Sequence, residues 1–182
     1  RVTPFGSTIN IVLLFKLIDG LTEIEAHTAI QLAEFKVARR LAEAVRSMIP
    51  ESVEVFELSK VDDSLPRVVY IFGCVTEWHH PHSGVAYYGM PIGESLPTFI
   101  HPNELLDGAL TTDARRGSGI MVNTWSYMNH PLVFQLLREH GKRLNFLGVI
   151  LQRTRFEAEL GKQITAEVTS QMARLLGAEG AV

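Results

Sequence analysis

A dense apolar run, Ile9 to Ile18 (INIVLLFKLI), is followed by a stretch in which apolar residues recur every three to four positions. The run is shorter than the roughly 20 residues that cross a bilayer and shows no polar face, so it predicts a strand buried on both sides, as in parallel sheets. Asp19 and Gly20 end it. Thr22 precedes Glu25 by the three residues that let a hydroxyl cap a helix start while the carboxylate reaches back. A helix is therefore expected over 22–48, with Ile30, Ala33, Val37, Leu41, Ala44 and Met48 as its core stripe and Glu34, Arg39, Arg40, Glu43 and Arg46 on solvated faces. Pro50 stops it. Further strands are expected at 52–58, 67–75, 98–100 and 145–152, and further helices at 130–140 and 157–176. For the first of these helices, Asn129 suits the N-cap, Pro131 the first turn and Gly141 the end, and Leu132, Leu136 and Leu137 give it a buried side. Strands alternating with amphipathic helices predict an α/β fold, a mostly parallel sheet with helices on both faces and right-handed crossovers.

Two stretches break this pattern. From Pro97 to Gly119 an apolar strand is stopped by Pro102, Glu104 to Leu106 can form one helical turn, and a polar loop follows carrying Asp107, Thr111, Thr112, Asp113, Arg115, Arg116 and Ser118. Polar loops of this length in compact domains usually carry function. From Glu77 to Ser83 the chain reads EWHHPHS. Among His79, His80 and His82, the pair flanking Pro81 can offer two imidazoles to a divalent metal, with Glu77 or His101 completing the set; contact with substrate or proton transfer, and plain loop residues, are the other readings. Tyr87, Tyr88, Gly89 and Pro91 continue an irregular segment able to act as a lid, and Asn123, Thr124 and Trp125 can lie beside the site. Cys74, near the carboxyl end of a strand, reads as a small buried apolar residue, with a ligand-facing thiol as the other reading. His140, at the end of a helix, is explained by the helix dipole.

The ordered set TPF near the start, EAHTAIQLAEFKVARRLAEA, PTFIHPNELLDGA, NHP before a helix, and HGKRLNFLGVIL resembles the proprotein subunit of component B of glycine, sarcosine and betaine reductases, and its D-proline reductase relative. The resemblance covers nearly the whole chain and implies one subunit of a hetero-oligomeric enzyme that acts at a C–N bond of a small amino or N-substituted compound. It also implies that the chain corresponds to the middle of a larger family architecture, as a fragment or processed subunit. In that family a cysteine in the loop after DGA is cut to leave a pyruvoyl group that captures the substrate amine. Counting from Asp107, this position is Arg115, which cannot yield a pyruvoyl group, so that cofactor is not expected here. Thr111, Thr112 or Ser118 can in principle undergo the same acyl shift; otherwise the chain stays uncut and Arg115 or Arg116 holds a substrate carboxylate through its planar fork. The candidate catalytic residues are thus Asp107, Thr112, Arg115, Ser118 and His82, and the candidate substrate contacts Arg116, His101, Asn123 and Tyr88.

Composition narrows the class only a little. The 182 residues suit one α/β domain, 46% of them hydrophobic and 20% charged, without fibrous or disordered bias. A formal charge of -3 gives no reason to expect nucleic acid or an anionic membrane as partner, and the expected location is the cytoplasm. The single cysteine leaves no disulfide framework and no thiol pair. This keeps two other functions open: a C–N hydrolase or lyase using histidines with or without a metal, and a non-catalytic subunit supporting a partner that carries the redox thiol or selenol.

Overall fold

A computed structural model of the chain describes residues 11–74, 84–113, 124–154 and 158–182. The chain forms two compact units, Arg1–Val53 and Glu54–Val182. In the first, α1 spans Glu23–Val45 and opens on the expected capping box: Glu25 N–H donates to Thr22 Oγ1 at 3.3 Å and Thr22 N–H to Glu25 Oε2 at 2.8 Å. Ile30, Ala33 and Val37 are the less exposed side of α1, but Leu41 and Met48 are exposed, so the full stripe is not buried. The physical reason lies in the preceding segment. Residues 11–18, the described part of the strand expected over 9–18, belong to no strand, and among the described residues of this unit α1 has no sheet to pack on.

The second unit is built on a four-stranded sheet in the order β4-β6-β1-β7, formed by β1 (Arg67–Cys74), β4 (Thr98–Ile100), β6 (Asn145–Arg153) and β7 (Gly180–Ala181). β1 pairs parallel with both β6 and β7, while the short β4 pairs antiparallel with β6. The expected strand over 52–58 is absent: apolar alternation alone makes no strand without a ladder partner. Helices cover both faces. On one, Phe72, Cys74, Val149 and Leu151 join Val133, Leu136 and Leu137 of α4 (Pro131–Glu139) in the core. On the other, Gln152 accepts a hydrogen bond from Thr169 of α5 (Glu159–Leu175) at 2.8 Å.

One local correction follows from backbone geometry. The N-cap of α4 is His130, because Pro131 occupies the first turn; Asn129 instead follows α3 (Thr124–Met128) and donates from its side chain to the Trp125 carbonyl of that helix. His140 stands at the C-cap of α4, as expected, and also bridges two segments. Its Nδ1 accepts from Phe146 N–H at 2.9 Å, which leaves Nε2 to donate to Ser59 Oγ at 3.0 Å.

A second, antiparallel sheet takes up described parts of the two segments expected to be irregular. β2 (Gly84–Tyr87) pairs with β3 (Met90–Pro91) on one side and with β5 (Leu110–Asp113) on the other. Between β2 and β3 the chain reverses through Tyr88 (φ 47) and Gly89 (φ 83), the two consecutive positive φ values of a tight hairpin turn.

Candidate functional site

Of the residues singled out from the sequence, Glu77, His80, His82, Arg115, Arg116, Ser118 and Asn123 lie outside the described residues, and only the backbone of Thr112 and Asp113 is described. Thr112 sits in β5 opposite Val85, and Asp113 opposite Gly84. The described parts of the two candidate loops are therefore neighbouring strands, with Gly84 and Asp113 paired at one end of the ladder.

At the other end of the ladder a side-chain cluster is defined. The turn of α2 (Pro102–Leu106) carries Glu104, whose Oε2 accepts from the Tyr87 phenol at 2.6 Å and whose Oε1 accepts from His101 N–H at 2.9 Å. His101 caps α2, its Nδ1 accepting from Asn103 N–H at 3.2 Å. Burial pushes the Glu104 carboxyl up, but the Tyr87 phenol, the His101 N–H and the Tyr88 phenol outweigh it and hold Glu104 below its ordinary value. The same carboxylate, after burial, raises both phenols. The rings of Tyr87 and Tyr88 lie 4.6 Å apart at 54°, and Tyr88 N–H is bonded to the Ala109 carbonyl at 2.9 Å. Asp107 caps the end of α2, is exposed, and adds negative charge near Tyr88. Gly108 follows with φ +87, a conformation that suits glycine and turns the chain into β5.

The structure thus brings Tyr88 and His101 of the expected set to one carboxylate, with Asp107 near Tyr88. Sequence reasoning missed Tyr87 and Glu104 themselves. Glu104 stands three residues after His101, the spacing of a capping box, which was the available signal; the phenol that meets it comes from 17 residues away and left none.

Cys74 is fully buried, and burial pushes its thiol up to about 12, as suits a core residue. Near it, Tyr70 and His130 approach at 3.4 Å between hydroxyl and Nε2, edged by Phe72. Burial lowers the basicity of His130. Among the described residues no group of three or more His, Cys, Asp or Glu is set to hold a metal, and no helix is long and apolar enough to cross a membrane.

A largely parallel sheet with helices on both faces, flanked by a small antiparallel sheet whose hairpin leans on an acidic helical turn, defines an α/β domain with a polar–aromatic cluster at its side. The chain belongs to the family of glycine/sarcosine/betaine reductase component B subunits, whose model matches residues 1–182. It is similar to "Glycine reductase complex component B subunits alpha and beta" of Acetoanaerobium sticklandii, 30% identical over 99% of this chain and 43% of the relative. It is likewise similar to "Betaine reductase complex component B subunit alpha" of Peptoclostridium acidaminophilum, 31% identical over 100% of this chain and 43% of the relative. A third relative, "Sarcosine reductase complex component B subunit alpha" of the same organism, is 27% identical over 99% of this chain and 43% of its own length. The chain thus spans less than half the length of these curated relatives, and no solved structure matches it.

Proposed function

We propose that this chain is part of a substrate-binding subunit in a hetero-oligomeric reductase, acting where the C–N bond of a small amino or N-substituted compound is cleaved. The observation that carries this reading is the family match along the whole chain, together with relatives named as components of glycine, betaine and sarcosine reductase complexes. Reductive cleavage of a C–N bond consumes two electrons and two protons. The chain's one thiol, Cys74, is buried and held protonated, so the electrons are assigned to a partner's dithiol or selenol. Arg115 at the family's precursor position does not fit a pyruvoyl group, and no step is assigned to one. In this reading the chain stays uncut across 108–119, and Arg115 or Arg116 binds the substrate carboxylate through two parallel hydrogen bonds.

The test uses the purified complex. Amine release from glycine, sarcosine or betaine should require both the partner carrying the thiol or selenol and a dithiol reductant, and denaturing mass spectrometry should find this chain intact. Amine release by the chain alone without reductant would replace this reading with a hydrolase or lyase. A fragment beginning at Thr111, Thr112 or Ser118 that reacts with hydrazines would show self-processing through a hydroxyl.

A further inference from the structure

We propose that residues 11–18 and α1 form an arm through which this chain completes a β-sheet in a different subunit: the run adds a strand to an open sheet edge, and α1 lies on that sheet. The arm presupposes the hetero-oligomeric complex of the preceding reading and is a surface that holds it together. Among the described residues of Arg1–Val53 none is buried, and the buried hydrophobic residues begin at Val69. Helices draw most of their stability from packing an apolar face, so a 23-residue helix with no core beneath it is built to be covered.

The run is apolar on both sides of an extended chain. Val12 (79% exposed), Leu14 (93%) and Ile18 alternate with Ile11, Phe15 and Leu17, and Lys16 is the single charge. A half-solvated strand shows one polar face; apolar residues on both faces belong to a strand with layers above and below it. Asp19 and Gly20 (φ 89) then turn the chain into the Thr22 capping box, so the strand is followed at once by its helix, the order of a parallel βα unit. α1 itself is apolar on two sides. Ala26, Ile30, Ala33 and Val37 form the less exposed one, while Ile24, Leu32 and Phe35, between 63% and 79% exposed, fall on the other at 3.6 residues per turn. One side suits the sheet that the run joins, the other a further layer of the same partner.

The occupant is a different subunit rather than a second copy. The run of 11–18 needs an edge of similar length, and the four-stranded sheet of this chain ends on β4, three residues long, and β7, two residues long. Two copies of the run paired with each other make only a two-stranded ribbon, which is marginal without a sheet behind it. The partner is therefore an α/β subunit whose parallel sheet has a long uncovered edge.

Hydrogen exchange read by mass spectrometry on the free chain and on the purified complex tests the arm. Amides of 11–18 and α1 should exchange freely in the isolated chain and at least about tenfold more slowly in the complex. Leu14 touches little in the free chain, so Leu14→Asp should leave its circular dichroism and melting unchanged. The same change should weaken binding to the remaining subunits at least about tenfold, because it buries a carboxylate in an apolar layer. Leu14→Ile, which keeps both the strand and its apolar faces, should bind as the parent does. Protection of 11–18 already present in the free chain, protection gained by α1 alone, or parent-like binding of Leu14→Asp overturns the arm. Unfolding of the free chain by Leu14→Asp overturns it too, since Leu14 then belongs to the chain's own core. A complex that releases amine while 11–18 exchange as in the free chain loses the arm and keeps the reductase reading; a chain that associates with no other subunit loses both.

Discussion

Replacing Gly148 by alanine should destabilise the second unit by about 2–4 kcal/mol, most of it backbone strain. Gly148 lies in β6 just past a register shift: Val68 of β1 faces Phe146 and Val69 faces Gly148, so Leu147 is the extra residue of a bulge. The glycine takes φ +140, a region that costs a side-chain-bearing residue about 1–3 kcal/mol. An added Cβ would also come within 2.5 Å of Cε2 and Cζ of Phe99 and 3.2 Å of the Ile100 carbonyl, both on β4. Phe99 is 40% exposed, and the overlapping atoms are the far end of its ring, so it can swing outward at a cost of about 1 kcal/mol or less. With urea slopes of about 1–3 kcal/mol per molar, the unfolding midpoint should fall by roughly 1–2 M at unchanged slope. A double-mutant cycle with Phe99→Ala separates the two contributions, since removing the ring relieves the overlap and leaves the backbone strain. A loss under about 1 kcal/mol for Gly148→Ala refutes the reasoning, as does full recovery in the double variant.

Asn145 is fully buried at the start of β6 and pins the connector before β1: its Oδ1 accepts from Asp62 N–H, and its Nδ2 donates to the Asp62 carbonyl at 2.7 Å and the Leu65 carbonyl at 2.8 Å. Asn145→Ala strands these groups and should cost about 2–4 kcal/mol by urea titration. Asn145→Asp, which aims an oxygen at two carbonyls, should cost more at neutral pH than near pH 4; equal losses at both would show that the amide donors do not matter. For Cys74, a disulfide exchange reagent at pH 8 should leave the native thiol untouched and label it fully in denaturant, and fast labelling of the folded chain would contradict its burial. Because burial raises the folded value to about 12 above an ordinary value of 9, its contribution to stability is complete below pH 9 and is lost as pH rises from there toward 12; a Cys74→Ala variant should lack that part of the alkaline decline.

The elements that were legible in the sequence are those whose signals are local. The Thr22/Glu25 box, the Pro131 start of α4, the apolar β6 and the strand stopped before Pro102 each depend on residues within a few positions of one another. What was illegible depends on pairing. Residues 11–18 and 52–58 have strand-like composition yet belong to no strand, whereas polar LTTD at 110–113 is one because it finds GVAY 26 residues earlier. A strand is a property of two segments, and one segment's hydropathy records only half of it. The candidate site divides in the same way. Asp107, His101 and Tyr88 stood out as polar residues in pattern breaks, but Glu104 read as ordinary helix and Tyr87 as part of a lid. Only the β2–β5 ladder, which sets Tyr87 opposite Leu110 and so beside the turn of α2, turns a capping carboxylate and a hairpin phenol into one cluster.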